Sequence, residues 1–172
     1  RISKKDGFEK DWKELFNIFF IESQYGNITS TNNLGFCYYY GEGVEQNLEE
    51  AVRSYRIASD GGNLNATCAL GCCYQSGQGV EKNVEEAIRL YKIAFDGGNL
   101  NATWILGFCY QSGQGVEKNA KEAIRLYRIA SDRGNLDATC FLGFCYEKGE
   151  GVEQNLEEAI RLFRIVSDGG NL

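Results

Sequence analysis

The sequence predicts an all-α fold: a right-handed α/α superhelical solenoid of four 36-residue helix-turn-helix repeats behind an N-terminal half-repeat. Three observations predict it. Glycine, tyrosine, asparagine and cysteine recur at an interval of 36 along the 172-residue chain, and a fixed period of this order marks stacked-repeat architectures. Each period holds two runs of apolar residues at helical spacing. Between the runs lie glycine and asparagine segments suited to ending one helix and starting the next.

The columns are explicit. Gly35, Gly71, Gly107 and Gly143 form one; Tyr38, Tyr74, Tyr110 and Tyr146 a second; Gly43, Gly79, Gly115 and Gly151 a third; Asn47, Asn83, Asn119 and Asn155 a fourth. Residues 1–26 fit the phase loosely, with Gly7 in the place of Gly43, Asp11 in that of Asn47, and Tyr25-Gly26 in that of Gly61-Gly62. They read as the second half of an earlier unit. Repeat 1 follows at 27–62, repeat 2 at 63–98, repeat 3 at 99–134 and repeat 4 at 135–172, where Asn171-Leu172 would open another unit. The chain begins at Arg1 and contains no Met, so a fragment of a longer array is expected.

Repeat 2 illustrates the helices. Ala66, Leu70, Gly71 and Tyr74 share one face of helix A, and Gly77 suits a left-handed end. Asn83 with Glu86 three residues on predicts a capping box that starts helix B. Ala87, Ile88, Tyr91 and Ala94 form its buried face, and Asp96-Gly97-Gly98-Asn99 supplies turn chemistry. Glu49, Glu85 and Glu157 precede Arg53, Arg89 and Arg161 by four residues, which predicts surface i,i+4 pairs. Cys37, Cys73, Cys109 and Cys145 recur at 36, too far apart in a stack to bridge directly, and read as buried free thiols in a reducing compartment. The adjacent pair Cys72-Cys73 reads as one exposed thiol and one buried.

Composition excludes several functions. A net charge of −6 argues against nucleic acid, where basic groups carry most of the affinity, and against anionic membranes. No apolar run reaches the roughly 18 residues a span needs. Leu15–Ile21 is too short, and wrongly flanked, for a signal peptide. An intracellular, cytoplasmic setting is expected. The sequons at Asn27, Asn65 and Asn101 leave the ER lumen as the alternative.

The pattern Ala66, Leu70, Gly71, Tyr74, Gly77, Gly79, Val80, Ala87, Tyr91, Ala94, Gly98 resembles the Sel1-like repeat, a relative of the tetratricopeptide repeat. The resemblance covers all four units. It implies a scaffold or adaptor that binds proteins or peptides, often beside a catalytic domain elsewhere in the chain. Some cysteine-rich bacterial members carry one disulfide per repeat, joining helix B of one unit to helix A of the next. Ala58, Ala94 and Ala130 stand at the helix-B partner position here, so that bridge cannot form.

The stretch YQSGQGVEKN, present at Tyr74–Asn83 and at Tyr110–Asn119, looks like a phosphate-binding loop. It follows a helix, lacks a third glycine and a G-K-[ST] ending, and places Glu81 or Glu117 where an anion would sit. It reads as an inter-helix turn. Without His there is no catalytic triad, and no four-ligand zinc site. No enzyme activity, metal or cofactor is expected of this stretch of chain.

A binding surface is legible on helix A, on the side away from its core residues, where Asn65, Cys68, Cys72, Gln75 and Ser76 fall together. One column reads Asn32, Cys68, Trp104, Cys140; the next Phe36, Cys72, Phe108, Phe144; a third Tyr39, Gln75, Gln111, Glu147. An ordinary solvated face would be charged. Repeats 2 and 3 differ at eight of 36 positions, and three of the eight are Cys68/Trp104, Ala69/Ile105 and Cys72/Phe108. The resemblance implies that helix A lines the concave surface. A protein or peptide partner held there, with Trp104 and Phe108 as anchors, is the expected function. The alternative for these two residues is packing against neighbouring A helices. Two other readings stay open: self-association through uncapped repeat ends, where Ala159, Ile160, Phe163 and Val166 lack an obvious cover, and a regulatory region of a larger kinase or ubiquitin-ligase assembly.

Overall fold

The structure, a computed structural model, describes residues 11–169. Among them are nine α-helices and no strand: α1 (Trp12–Gln24), α2 (Ile28–Tyr40), α3 (Leu48–Asp60), α4 (Leu64–Ser76), α5 (Val84–Asp96), α6 (Leu100–Ser112), α7 (Ala120–Asp132), α8 (Leu136–Lys148) and α9 (Leu156–Ser167). Gly7 and the Asn171-Leu172 pair lie outside the described residues. The even-numbered helices are the A helices and the odd-numbered ones the B helices. Each helix packs on the one before it and the one after it in sequence, the arrangement of an α/α solenoid.

Helix length is set by caps at both ends. Asn83 Oδ1 accepts the Glu86 N–H at 2.9 Å, and Asn63, Asn99 and Asn135 do the same for α4, α6 and α8. Each such cap stabilises its helix by about 1 kcal/mol. The capping box expected at Asn83 is only half formed. Its own N–H is given to the Tyr74 carbonyl at 2.9 Å, and the Glu86 carboxylate turns away to Arg89. The expected i,i+4 ion pairs are corrected in the same way. The partners are Glu50–Arg53, Glu86–Arg89, Glu122–Arg125 and Glu158–Arg161, all i,i+3. The glutamate one position later is the one whose backbone sits on the asparagine cap, which leaves its carboxylate beside the arginine.

The A helices end on glycine. Gly77 has φ 74° and returns its N–H to the Cys73 carbonyl at 2.8 Å, a left-handed stop that a β-carbon disfavours. Two residues on, Gly79 also has positive φ, and a β-carbon there would lie 2.1 Å from the Leu48 carbonyl oxygen. The turn is thus seated on the first residue of the preceding B helix. A backbone packed this closely leaves no cradle for a phosphate.

Packing repeats the same logic. Gly71 of α4 lies against the Tyr91 ring of α5, where a β-carbon would come within 2.6 Å of Cε1. The Tyr91 and Tyr127 rings are fully buried. One core group joins Ala51, Tyr55 and Ala58 of α3 to Ala66, Leu70 and Cys73 of α4 and Leu90 of α5. Cores of this kind straddle the boundary between units, so each unit is held by its neighbours. All seven cysteines are free, and Cys37, Cys73, Cys109 and Cys145 are buried. At the adjacent pair, Cys73 is buried and Cys72 half-buried rather than fully exposed.

Candidate interaction surface on the A helices

The three columns predicted to face a partner divide into three environments. Phe36 (38% exposed) and Phe144 (44% exposed) stand on the surface. Phe36 lies between Trp12, with centroids 6.0 Å apart, and Tyr40 at 4.6 Å; Phe144 meets Phe163 edge-on at 5.1 Å. Asn32 and Cys140 are half-buried, and Glu147 is exposed.

Trp104 and Phe108 are half-buried against α8. Trp104 stacks on Phe141 with centroids 5.7 Å apart and planes 15° apart, and Phe108 meets the same ring at 5.7 Å and 61°. Phe141 in turn stacks on the buried Tyr127 at 5.6 Å. These rings are therefore partly an inter-unit contact and partly surface. Aromatic pairs at such separations add about 0.5–1.5 kcal/mol beyond their burial. Phe141 was not singled out in the sequence. Its column (Asn33, Ala69, Ile105, Phe141) is the one that leans toward the previous A helix, and its growth from Ala69 through Ile105 to Phe141 is the signal that marks it.

Cys68 is not a surface group, which corrects the helical projection. It is 5% exposed, packed with Tyr91, Leu106 and Cys109. The projection treats a helix as isolated, whereas α6 covers this side of α4. Cys72 remains half-buried beside it. The Cys68 thiol, hydrogen-bonded to Cys72, holds the latter's pKa below the usual thiol range. Burial instead pushes Cys73, Cys109 and Cys145 up to about 11.

Gln75 and Gln111 are committed to the stack. Gln75 Oε1 accepts the Tyr91 hydroxyl at 2.7 Å, while its Nε2 donates to Gln114 of the next turn at 3.0 Å. Gln111 repeats this with Tyr127 at 2.8 Å and Glu150 at 2.9 Å. In the first unit the Tyr39 hydroxyl reaches Gln78. The column is an inter-unit latch. The repeats encode it: glutamine at 75 and 111 accompanies tyrosine at 91 and 127, whereas Glu147 accompanies Phe163, which has no hydroxyl to give.

The surface that remains is aromatic: Phe36 and Tyr40 at one end, Trp104 and Phe108 in the middle, Phe144 at the other. Tyr40, 60% exposed, is an addition to the predicted set. Among the described residues no three His, Cys, Asp or Glu side chains gather where they could hold a metal ion. No helix among them is long and apolar enough to cross a membrane.

The family described as Sel1 repeat matches residues 29–63, 64–99, 100–135 and 136–171. Among solved structures, a Sel1 repeat protein from Oxalobacter formigenes is 29% identical, with a TM-score of 0.86 over 96% of this chain and 66% of its own. A protective antigen from uropathogenic Escherichia coli, described as displaying an SLR fold, is 28% identical, with a TM-score of 0.80 over 96% of this chain and 36% of its own. The cysteine-rich protein B of Helicobacter pylori shares the fold at 23% identity and a TM-score of 0.57, over 77% of this chain and 95% of its own. The chain thus spans just under two thirds of the first of these and about a third of the second. No curated protein sequence matches it. Matched four times in an unbroken row, the chain belongs to the Sel1 repeat family.

Proposed function

We propose that the chain is a non-catalytic protein-interaction scaffold that holds a peptide segment of a partner on the concave side of α2, α4, α6 and α8. The observation that carries this reading is the set of aromatic groups on α2, α6 and α8, with Cys72 of α4 in the same column. Its members change from unit to unit while the core columns beneath them repeat. Exposed aromatic groups in a row supply large contact area with few side-chain rotamers to fix, which is the composition of binding hot spots. Trp104 and Phe108 are the central anchors, flanked by Phe36 with Tyr40 and by Phe144. Cys72, Asn32, Cys140 and Glu147 complete the rim. Gln75, Gln111 and Cys68 shape the surface from within.

The test separates binding from folding. Peptides are selected from a random displayed library against the immobilised chain and then measured against variants. Phe36→Ala with Phe144→Ala removes exposed rings at small cost in stability; Trp104→Ala with Phe108→Ala removes the anchors. The reading predicts at least about a tenfold loss of peptide affinity in each double variant, equal to 1.4 kcal/mol, with the helical circular dichroism retained in the first. Undiminished affinity in both would overturn it.

A second reading is favoured by α9. Ile160 is 52% exposed, whereas its counterparts Val52, Ile88 and Ile124 are buried beneath the following unit. This face has the form that receives a following unit in the other repeats, and either a further repeat or a second copy of the chain would cover it. Ile160→Glu would abolish any concentration-dependent association seen by light scattering; a monomer at all concentrations counts against the reading.

A further inference from the structure

The grooves between units carry a second set of repeated contacts, on the B-helix side and separate from the aromatic row. One groove of about 420 Å³ lies between α3, α4 and α5, with Arg56, Ser59, Leu70, Tyr74, Leu90 and Ile93 among its walls. Its counterpart two units later, about 520 Å³ between α7, α8 and α9, presents Arg128, Ser131, Leu142, Tyr146, Leu162 and Ile165 at the same positions. Several polar groups of both are already paired. Ser59 and Thr67 hydroxyls lie 2.8 Å apart, as do those of Ser131 and Thr139. Arg56 donates to the Tyr74 hydroxyl at 2.9 Å, and Arg128 to that of Tyr146 at 2.7 Å. Polar and apolar groups share the open space: Leu64 and Ile93 with Asp60 and Arg89 in one groove, Leu136 and Ile165 with Asp132 and Arg161 in the other.

The interval between these two grooves, formed by α5, α6 and α7, shows what such a space accepts. Two of its groove positions differ: Lys92 replaces the arginine, and Phe95 replaces the serine of the other two. Phe95 is half-buried and packs on the core group that contains Leu106 and Leu126, the counterparts of Leu70 and Leu90. The Arg125 guanidinium stands 5.9 Å from its ring centroid, and Arg125 is the counterpart of Arg89 and Arg161. Arg125 keeps its 2.6 Å pair with Glu122 while facing the ring. A cation over an aromatic face is a charge complementarity that an aliphatic side chain cannot offer. Phe95 thus occupies the middle interval, whereas the serine intervals stay open; the earliest of them, between α1, α2 and α3, is smaller at about 220 Å³ and has Phe20 and Ser54 in place of the arginine and the second leucine.

We propose that the α3–α4–α5 and α7–α8–α9 grooves each receive an aromatic side chain from a protein partner, seated on the leucine and isoleucine walls beneath Arg89 or Arg161. The occupant sits where Phe95 sits in the middle interval. Because the two grooves are two units apart, a partner that fills both presents two aromatic residues along an extended stretch. This contact does not depend on the A-helix surface.

N-acetyl-L-phenylalaninamide is the probe, titrated into the ¹⁵N-labelled chain and followed by amide chemical shifts. Saturable shifts are expected at Ser59, Thr67 and Ile93 and at Ser131, Thr139 and Ile165, with none at Thr103 or Ile129. N-acetyl-L-leucinamide should bind at least about threefold more weakly. Ser59→Phe should abolish the first set and leave the second. Phe95→Ser should add a third set, at Thr103 and Ile129. Shifts scattered over the surface, equal for both probes, or unchanged by Ser59→Phe would overturn the proposal. Should Ser59→Phe lose its dispersed spectrum, Phe95→Ser decides alone: a third set supports the assignment, and its absence overturns it.

Discussion

Cys72 and Gly71 are single positions whose surroundings invert the usual behaviour of their residue type. Cys72 is the thiol of this chain with both access and a stabilised anion, because Cys68 offers a hydrogen to its sulfur. Thiolate is the reactive form, so alkylation should follow its titration. At pH 7.5, iodoacetamide with peptide mass mapping should find Cys72 modified at least about tenfold faster than Cys37, Cys73, Cys109 or Cys145. Cys68→Ala should slow that reaction by removing a donor; an unchanged rate contradicts the assignment. Gly71 makes the opposite kind of case. Glycine to alanine inside a helix ordinarily stabilises by about 1 kcal/mol. Here the β-carbon would meet a fully buried Tyr91 ring that has no room to retreat. Gly71→Ala should therefore destabilise by about 2 kcal/mol in urea unfolding; a stabilising result would show that the ring yields. The glycine column was visible in the sequence, but its reason was not. Periodicity shows that a position is special, and only the facing ring shows why.

At the scale of the element, helix boundaries and the inter-helix turn were legible because caps are local chemistry. Asn83→Ala should cost about 1 kcal/mol of stability by removing the Glu86 N–H acceptor. Less legible was the use of each carboxylate. Glutamate sits at both positions of the pairs 49–50, 85–86 and 157–158, and spacing alone does not choose between them. The consequence is a pH dependence. Arg89, Arg125 and Arg161 hold the carboxyls of Glu86, Glu122 and Glu158 below the ordinary range, first through hydrogen bonds. A depressed carboxylate contributes stability that is present above its unfolded pKa and lost as pH falls through the folded one. These pairs are surface-exposed, so each is worth about 0.3–0.5 kcal/mol. Stability should fall by about 1 kcal/mol between about pH 5 and pH 3 through these three. The triple variant Glu86→Gln, Glu122→Gln, Glu158→Gln should lose that part of the slope. An identical slope in the variant would place the effect elsewhere.

For the whole molecule, the period foretold a stack, and the Sel1 repeat family fits every unit of it. The surface was read less completely. Projecting an isolated helix put Cys68 outside, whereas stacking puts α6 over it, and the glutamines expected to meet a partner fasten one unit to the next. What stacking leaves partly outside is a set of aromatic rings, with Phe36, Tyr40 and Phe144 still exposed after their contacts to neighbouring rings. The central claim is that a partner peptide lies along these rings. It is tested most directly by amide hydrogen exchange on the chain with and without a selected peptide. The account predicts that protection rises in α2, α6 and α8 around Phe36, Tyr40, Trp104, Phe108 and Phe144 and stays unchanged in α3, α5 and α7. Protection confined to the B helices, with the A helices unaltered, would contradict it.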